Sequence, residues 1–173
     1  MAKRIALLRG INVGTAKRVS MADLAALFSS LGYKDVKTLL NSGNVVFSGK
    51  AASEAKIEAA FTARFGFSSR ITLVEGEELA EIVKDNPIVE IPEPSRFLVA
   101  FLKTESHREL LVPMEAQKWH PEAFALGKRV AYMWCPLGSL ESKIAEAMNK
   151  VLKDSVTARN WSTVLKLNAL AGG

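Results

Sequence analysis

Two glycine-containing loops near the N-terminus combine residue types that can bind an anion. The stretch LLRGINVG covers residues 7–14 and places Arg9 and Asn12 among glycines. The stretch NSGN covers residues 41–44 and ends in Asn44. Glycines expose backbone N–H groups, arginine offers a planar fork of donors, and asparagine offers both a donor and an acceptor. Such a set suits an anion or a polar planar group.

The hydrophobic pattern of residues 1–75 predicts the elements that position these loops. Residues 3–9 are predicted as a strand that is buried on both faces. Ser20 is predicted as the N-cap of the first helix, and Gly32 ends that helix. The remaining predictions are strands over 36–40, 44–48 and 70–74, helices from Ser53 and Glu77, and a two-residue hairpin turn at Ser42-Gly43. This order, βαββαβ, is typical of a ferredoxin-like unit.

The predicted topology brings the two loops together. In a βαββαβ sheet, strands one and three are adjacent and antiparallel, so the end of the first lies beside the start of the third. We therefore expect residues 9–14 and 41–44 to meet at one edge of the sheet. A purely structural explanation also exists, because the glycines can serve turn geometry and the asparagines can cap loops. Arg9 can then pair with Asp23 or Glu75.

The second half of the chain repeats this order imperfectly. The proline-rich residues 86–95 predict a boundary between a first half, 1–86, and a second half, 87–173, within one compact α+β protein. The pattern predicts a strand over 96–102, a helix capped by Ser106, a hairpin around Gly127-Lys128, and a helix from Ser139 with Leu140, Ile144, Met148 and Val151 on one side. A turn replaces the expected last strand and leads into a closing helix from about Asn160.

Positive charge is concentrated at the N-terminus. The chain has 23 basic and 18 acidic residues, a net charge of +5. Residues 1–22 contain five basic residues and no acidic one, which leaves 18 basic against 18 acidic residues in the rest of the chain. Such clustering favours an anionic partner, and a solvated basic edge that keeps the protein soluble is the alternative. The five basic residues are Lys3, Arg4, Arg9, Lys17 and Arg18.

A third stretch, TARNW at residues 157–161, offers similar chemistry near the C-terminus. Arg159 lies where a helix is predicted to begin, and an arginine there opposes the helix dipole, which invites an anionic partner. Thr157 and Asn160 are predicted as helix caps. Trp161 is predicted as a core anchor, with a stacking surface as the alternative.

These stretches together resemble the motifs of a known family. LLRGINVG, SGNVVF and TARNWSTVLKL, in this order, are similar to the signature stretches of the bacterial domain-of-unknown-function family 1697. The resemblance implies a compact cytoplasmic α+β protein, and it supplies no catalytic residues. It also implies a set of recurrent positions, which we take as the candidate ligand-binding residues: Arg9, Gly10, Asn12, Gly14, Ser42, Gly43, Asn44, Arg159, Asn160 and Trp161.

Other kinds of chemistry have little support in the sequence. His107 and His120 have no second ligand at metal-binding spacing, so no metal site is predicted. No P-loop, dinucleotide fingerprint or nucleophile elbow occurs, and no cofactor is predicted. Cys135 is predicted as a buried, inert thiol because no cationic neighbour is evident. A standard RNA-binding sheet face is disfavoured because its central strands would offer only Phe47 for stacking.

Three functions remain open. The first is a cytoplasmic protein that binds an anionic ligand, nucleic acid or a phosphate-bearing small molecule, at the basic edge. Arg9 and Arg159 would contact charge there, while Asn12, Ser42 and Asn44 would orient the ligand. The second is an enzyme that acts on a small polar substrate at the same edge, and the third is an interaction module with purely architectural motifs. A single cysteine, with no secretory signal or membrane span in the sequence, favours the cytoplasm.

Overall fold

The computed structural model of the protein describes residues 2–173, and the chain forms two compact units. The first unit comprises the residues up to Ala80 together with Leu167–Gly173, and the second runs from Glu81 to Lys166. Each unit combines helices with one antiparallel sheet of four strands. The predicted α+β class is therefore confirmed.

The first unit has the element order that the sequence predicts. Its strands are β1 (Arg4–Leu8), β2 (Lys34–Leu39), β3 (Asn44–Ser48) and β4 (Ile71–Glu75). Its helices are α1 (Met21–Ser30), α2 (Glu54–Phe65) and α3 (Gly76–Lys84), the last of which continues into the second unit. The sheet order is β2-β3-β1-β4 and every pairing is antiparallel. This is the ferredoxin-like arrangement, with β1 between β3 and β4.

The core of the first unit is built on helix α1 and strand β3. Ser20 caps α1 as predicted, because its Oγ accepts a hydrogen bond of 3.0 Å from Asp23 N. Phe47 of β3 is fully buried, and its ring centroid lies 5.2 Å from that of Phe28 and 4.7 Å from that of Tyr33. Phe47 is therefore a core residue and does not offer a stacking surface to a base. The same cluster includes Ala6, Leu8, Ile11, Leu24, Leu27, Val45, Ile57, Phe61 and Ile71.

The connection between β2 and β3 differs from the predicted two-residue turn. Leu39 pairs with Asn44, so the four residues 40–43 join the strands. Gly43 N donates to Leu40 O at 3.4 Å, and both residues have positive φ, 60° for Leu40 and 92° for Gly43. The prediction was wrong because a glycine marks a position of positive φ without fixing where the turn begins.

The second unit repeats the complete order of the first. Its strands are β5 (Phe97–Leu102), β6 (Ala123–Leu126), β7 (Val130–Trp134) and β8 (Val156–Asn160). Its helices are α4 (Glu105–Leu111), α5 (Lys143–Leu152) and α6 (Trp161–Leu170), the last of which continues into the first unit. The sheet order β6-β7-β5-β8 matches that of the first unit strand for strand. The core cluster includes Ala100, Leu102, Leu111, Met114, Ala131, Met133, Cys135, Ile144, Met148, Leu152 and Val156.

The prediction that a turn replaces the last strand is wrong. Residues 156–160 form β8, which pairs antiparallel with β5 along its whole length. The strand pattern was hidden because a buried Val156 and Thr157 are followed by the polar Arg159 and Asn160. The predicted closing helix is confirmed and begins one residue later, at Trp161.

The helices of the second unit begin at other residues than predicted. Thr104 caps α4 instead of Ser106, and its Oγ1 accepts a hydrogen bond of 3.2 Å from His107 N. Helix α5 begins after its cap Ser142, so Leu140 lies outside the helix and is 98% exposed. The buried face of α5 consists of Ile144 and Met148, as predicted, and of Leu152, whereas Val151 is exposed.

The β6–β7 hairpin is confirmed, with its turn one residue later than predicted. Gly127 N donates to Val130 O at 2.8 Å, so Lys128 and Arg129 are the two central residues of the turn. Among residues 2–173, no helix is long and apolar enough to cross a membrane.

Candidate functional site

The predicted meeting of the two glycine loops occurs in the first unit. Leu8 N donates to Gly43 O at 2.9 Å, which places the end of β1 against the β2–β3 turn. Arg9 N donates to Arg70 O at 3.0 Å, and Ser69 Oγ donates to Arg9 O at 2.8 Å. Residues 9–20, 40–44 and 69–70 therefore form one surface at this end of the sheet. We call this surface the first edge.

Asn12 holds the first edge together through its side chain. Its Nδ2 donates to Val19 O at 2.9 Å and to Asn41 O at 2.7 Å, and its Oδ1 accepts from Val19 N at 2.7 Å. The first loop is thereby closed on itself and joined to the β2–β3 turn. Asn12 has φ of 54°, a left-handed conformation that asparagine adopts more easily than most residues. Its role is to position the edge.

Asn44 and Gly43 also have structural tasks in the β2–β3 turn. Asn44 is fully buried, and its Nδ2 donates to Leu39 O at 2.7 Å and to Ser42 Oγ at 3.1 Å. A Cβ atom at Gly43 would lie 2.8 Å from Ile11 Cδ1 and 2.9 Å from the Leu8 Cβ atom. Only glycine fits at this position. Asn44 and Gly43 therefore shape the turn from inside.

Arg18 presents its guanidinium at the surface of the first edge. Its Nη1 lies within hydrogen-bonding distance of two loop carbonyls, 3.2 Å from Gly14 O and 3.4 Å from Asn12 O. These contacts orient the guanidinium, and Arg18 remains exposed. An oriented guanidinium loses less side-chain entropy when it binds an anion than a freely moving one does.

A cavity opens beside Arg18 at the start of helix α1. Its volume is about 260 Å³, and it is lined by Asn12, Arg18, Val19, Ser20 and Asn41. None of these residues is acidic, and Ser20 is the cap of α1. The partial positive charge of a helix N-terminus and the full charge of Arg18 therefore act on the same space.

The charge of the first edge differs in part from the predicted cluster. Lys3 and Arg4 lie at the opposite end of β1, where Arg4 Nε is 3.1 Å from Glu75 Oε1 and Lys3 Nζ donates to Leu170 O at 3.0 Å. Arg70 lies at the first edge instead of Lys3 and Arg4, because its backbone pairs with that of Arg9. The basic residues of the first edge are thus Arg9, Lys17, Arg18 and Arg70.

Two carboxylates lie near the first edge. Glu58 Oε1 accepts a hydrogen bond of 2.9 Å from Ile71 N, at the start of β4. Asp23 follows the Ser20 cap in the first turn of α1, and its Oδ1 lies 3.9 Å from Arg64 Nη2. Four basic residues therefore stand against two acidic ones, and the first edge keeps a positive balance.

Strained backbone is also concentrated in the first edge. Asn12, Lys17 and Leu40 all have φ between 54° and 60°, which costs energy in residues other than glycine. Leu40 is the most unusual, since a leucine gains no local hydrogen bond from its side chain in this conformation. Strain of this kind is maintained where the surrounding structure requires one geometry, and it occurs often at binding sites.

The TARNW stretch lies in the second unit, across β8 and the start of α6. Arg159 Nη1 donates to Ala158 O at 2.9 Å, and Arg159 is half-buried. Asn160 caps α6 as predicted, because its Oδ1 accepts from Thr163 N at 2.9 Å. Thr157 is not a cap, since it lies inside β8 and is 2% exposed. Trp161 packs edge-on against Phe97, with ring centroids 5.3 Å apart, as expected of a core anchor.

Cys135 is a buried thiol, as predicted. It is 1% exposed and lies 3.4 Å from Ser142 Oγ, to which its thiol donates. Burial raises the pKa of the Cys135 thiol, so the reactive thiolate is disfavoured. Among residues 2–173, no group of three or more His, Cys, Asp or Glu side chains is placed to hold a metal ion.

Comparison with known proteins places the chain in a family. The family described as "Protein of unknown function (DUF1697)" matches residues 1–132, which include both loops of the first edge. The chain belongs to the DUF1697 family. A search of curated proteins finds no match.

A solved structure shares the fold of this DUF1697 chain. The structure of the conserved bacterial protein SP0830 from Streptococcus pneumoniae is similar to it with a TM-score of 0.80 and 21% sequence identity. The similarity covers 98% of each chain. At this identity, the comparison shows the fold and carries no functional residue over.

Arg18, Arg70 and Asn41 of the first edge are missing from the candidate set, although the sequence analysis counted Arg18 in the basic N-terminal cluster. Arg70 immediately precedes β4, and Asn41 lies in the β2–β3 turn, where its backbone carbonyl accepts from Asn12. The ferredoxin-like order could have predicted Arg70, because the start of β4 lies beside the end of β1 in that topology. The position of Asn41 depends on the length of the turn, which the sequence predicted incorrectly.

Proposed function

We propose that this DUF1697 protein acts in the cytoplasm and binds an anionic ligand at the first edge. The ligand is a nucleic acid or a phosphate-bearing small molecule. The observation that supports this proposal is the cavity of about 260 Å³, which is lined by the oriented Arg18 and by the cap of helix α1. An anion in this cavity would meet the guanidinium and the helix N-terminus together.

The roles of the edge residues follow from their contacts. Arg18 would bind the anion directly, and the exposed Lys17 would add long-range attraction. Asn12 and Asn44 would keep the loop and the turn in place, because their side chains already bond to backbone and turn atoms. Arg159 and Asn160 belong to the second unit, and any contact that they make with the ligand is a separate hypothesis.

The direct test is a fluorescence-anisotropy titration with labelled single-stranded RNA and DNA at low salt. We expect the substitution Arg18→Gln to weaken binding by roughly tenfold, since a charge-assisted hydrogen bond contributes about 1.5 kcal/mol. Competition with inorganic pyrophosphate separates a site for a small phosphate compound from a site that requires a polymer.

A matched control is available in the same unit. Lys56 is an exposed lysine in the first turn of α2, and Lys56→Gln removes one charge there. If Lys56→Gln weakens binding as much as Arg18→Gln does, the effect is due to net charge and the proposed site is wrong. If the wild-type protein binds neither oligonucleotide nor pyrophosphate, the proposed function is wrong as well.

A further inference from the structure

The second unit carries a basic turn at the position that corresponds to the first edge. In the first unit, the N–H of Leu8, the last residue of β1, donates to Gly43 O in the β2–β3 turn at 2.9 Å. In the second unit, the N–H of Leu102, the last residue of β5, donates to Arg129 O in the β6–β7 turn, also at 2.9 Å. The two contacts are topologically equivalent, because the two sheets have the same strand order.

Two arginines of the second unit are fastened to this turn through their Nε atoms. Arg108 Nε donates to Gly127 O at 2.7 Å, and Arg129 Nε donates to Leu102 O at 3.2 Å. A hydrogen bond donated by Nε fixes the plane of the guanidinium. The carbonyl contacts of Arg18 do the same in the first edge. We call residues 103–108 and 127–130 the second edge.

The second edge has a positive balance of charge. Its basic residues are Lys103, Arg108, Lys128 and Arg129. Its acidic neighbours are Glu105, in the first turn of α4, and Asp154, which lies two residues before β8 and so at the same end of the sheet. Lys128 is exposed at the centre of the turn. Four cations against two carboxylates repeat the balance of the first edge.

We infer that the second edge is a further phosphate-contacting surface and that the ligand of this protein is a single-stranded nucleic acid. This inference rests on the proposed function, since it assigns one ligand class to both edges. A small phosphate compound would need one enclosed site, whereas a strand offers a phosphate at every nucleotide and can contact each unit separately. Contacts to phosphates give affinity without sequence preference and depend strongly on salt.

The test measures the salt dependence of binding for a fluorescein-labelled poly-thymidine strand. Each phosphate contact on a single strand contributes about −0.7 to the slope of log K against log salt. We expect Lys128→Gln to make the slope shallower by up to about 0.7, and Lys128→Gln with Arg108→Gln to make it shallower by up to about 1.4. Lys118→Gln is the control, because Lys118 is exposed near the other end of the β6–β7 hairpin.

The outcomes separate this inference from the proposed function. If Arg18→Gln and Lys128→Gln both weaken binding and Lys118→Gln does not, both proposals are supported. If only Arg18→Gln weakens binding, the proposed function is supported and the second edge is ruled out. If only Lys128→Gln does so, the second edge is supported and the first is ruled out. If the strand does not bind at low salt, the inference about the second edge is ruled out, and the pyrophosphate titration decides the proposed function separately. The substitution Lys128→Gln removes no hydrogen bond, so a loss of binding cannot be attributed to a loss of folding.

Discussion

Asn12 shows how one side chain can fix the shape of a surface. Its three side-chain hydrogen bonds close the loop after β1 and connect it to the β2–β3 turn. This bonding leaves Arg18 at the rim of the cavity, with its guanidinium held by Gly14 O and Asn12 O. At the residue scale, the amide of Asn12 fixes the geometry of the loop, and the proposed function assigns recognition to the charge of Arg18.

The glycines of the first edge provide a test at the same scale. At Gly43, a Cβ atom would meet Ile11 and Leu8 below 3.0 Å, and the φ of 92° is unfavourable for other residues. We expect Gly43→Ala to lower the free energy of unfolding by about 2–4 kcal/mol, from overpacking and backbone strain together. Urea denaturation measures this change.

Gly14 is the matched control for this prediction. It has φ of 60°, and a Cβ atom there would meet nothing within 4 Å. Gly14→Ala therefore introduces backbone strain alone, and we expect it to lower the free energy of unfolding by about 1 kcal/mol. If Gly43→Ala and Gly14→Ala lowered the free energy of unfolding equally, the close packing of Gly43 against the loop would be contradicted.

At the scale of the element, short-range signals predicted what lies within a helix or strand better than where each one begins. Ser20 was correctly predicted as a cap and Ser53 as the start of a helix, because a hydroxyl before an amphipathic run commonly caps it. Ser106 and Ser139 were wrong because Thr104 and Ser142, each with a hydroxyl, lie close by and compete as caps. The choice between neighbouring hydroxyls depends on packing that the sequence does not show.

Tyr132, on strand β7 of the second unit, makes the stability of the protein depend on pH. Its hydroxyl donates to Ile82 O at 2.7 Å and is buried. Burial and, to a smaller extent, the charge of Asp85 together raise the pKa of Tyr132 from the usual 10.0 to about 12. Below the usual pKa, Tyr132 is neutral in both the folded and unfolded chains, so it adds no pH dependence there.

The free energy of unfolding should therefore decrease at alkaline pH because of Tyr132. Between about pH 10 and 12, the unfolded chain ionises while the folded chain stays neutral, and the free energy of unfolding drops by up to about 2–3 kcal/mol. Urea denaturation across this range measures the drop, with Tyr132→Phe as the reference for all other titrating groups. A drop of the same size in Tyr132→Phe would contradict this assignment.

At the scale of the whole molecule, the chain contains the ferredoxin-like order twice. The first copy was predictable because β1, β3 and β4 are largely apolar and glycines separate its elements. The second copy was predicted as incomplete, since β8 carries Arg159 and Asn160 where an apolar pattern was expected. Recognition of the pairing between β5 and β8 requires contacts between residues far apart in sequence, which local patterns do not contain.

The same limit applies to the candidate site. The meeting of residues 9–14 and 41–44 was predictable, because it follows from strand order alone. The contribution of Arg70 follows from the same strand order, although it was not predicted. The basic turn at Lys128 was not found because the second half was predicted as an incomplete repeat. Side-chain burial, which makes Asn44 a structural residue, was equally beyond the reach of sequence patterns.

The central claim is that an anion binds at the first edge, and its most direct test is nuclear magnetic resonance. Backbone amide shifts of ¹⁵N-labelled protein are followed while a single-stranded oligo-thymidine is added at low salt. We predict that the largest shifts fall on residues 12–21 and 41, which line the cavity or border it. Chemical-shift changes confined to other amides would contradict the claim, and so would the absence of shift changes with both the oligonucleotide and pyrophosphate.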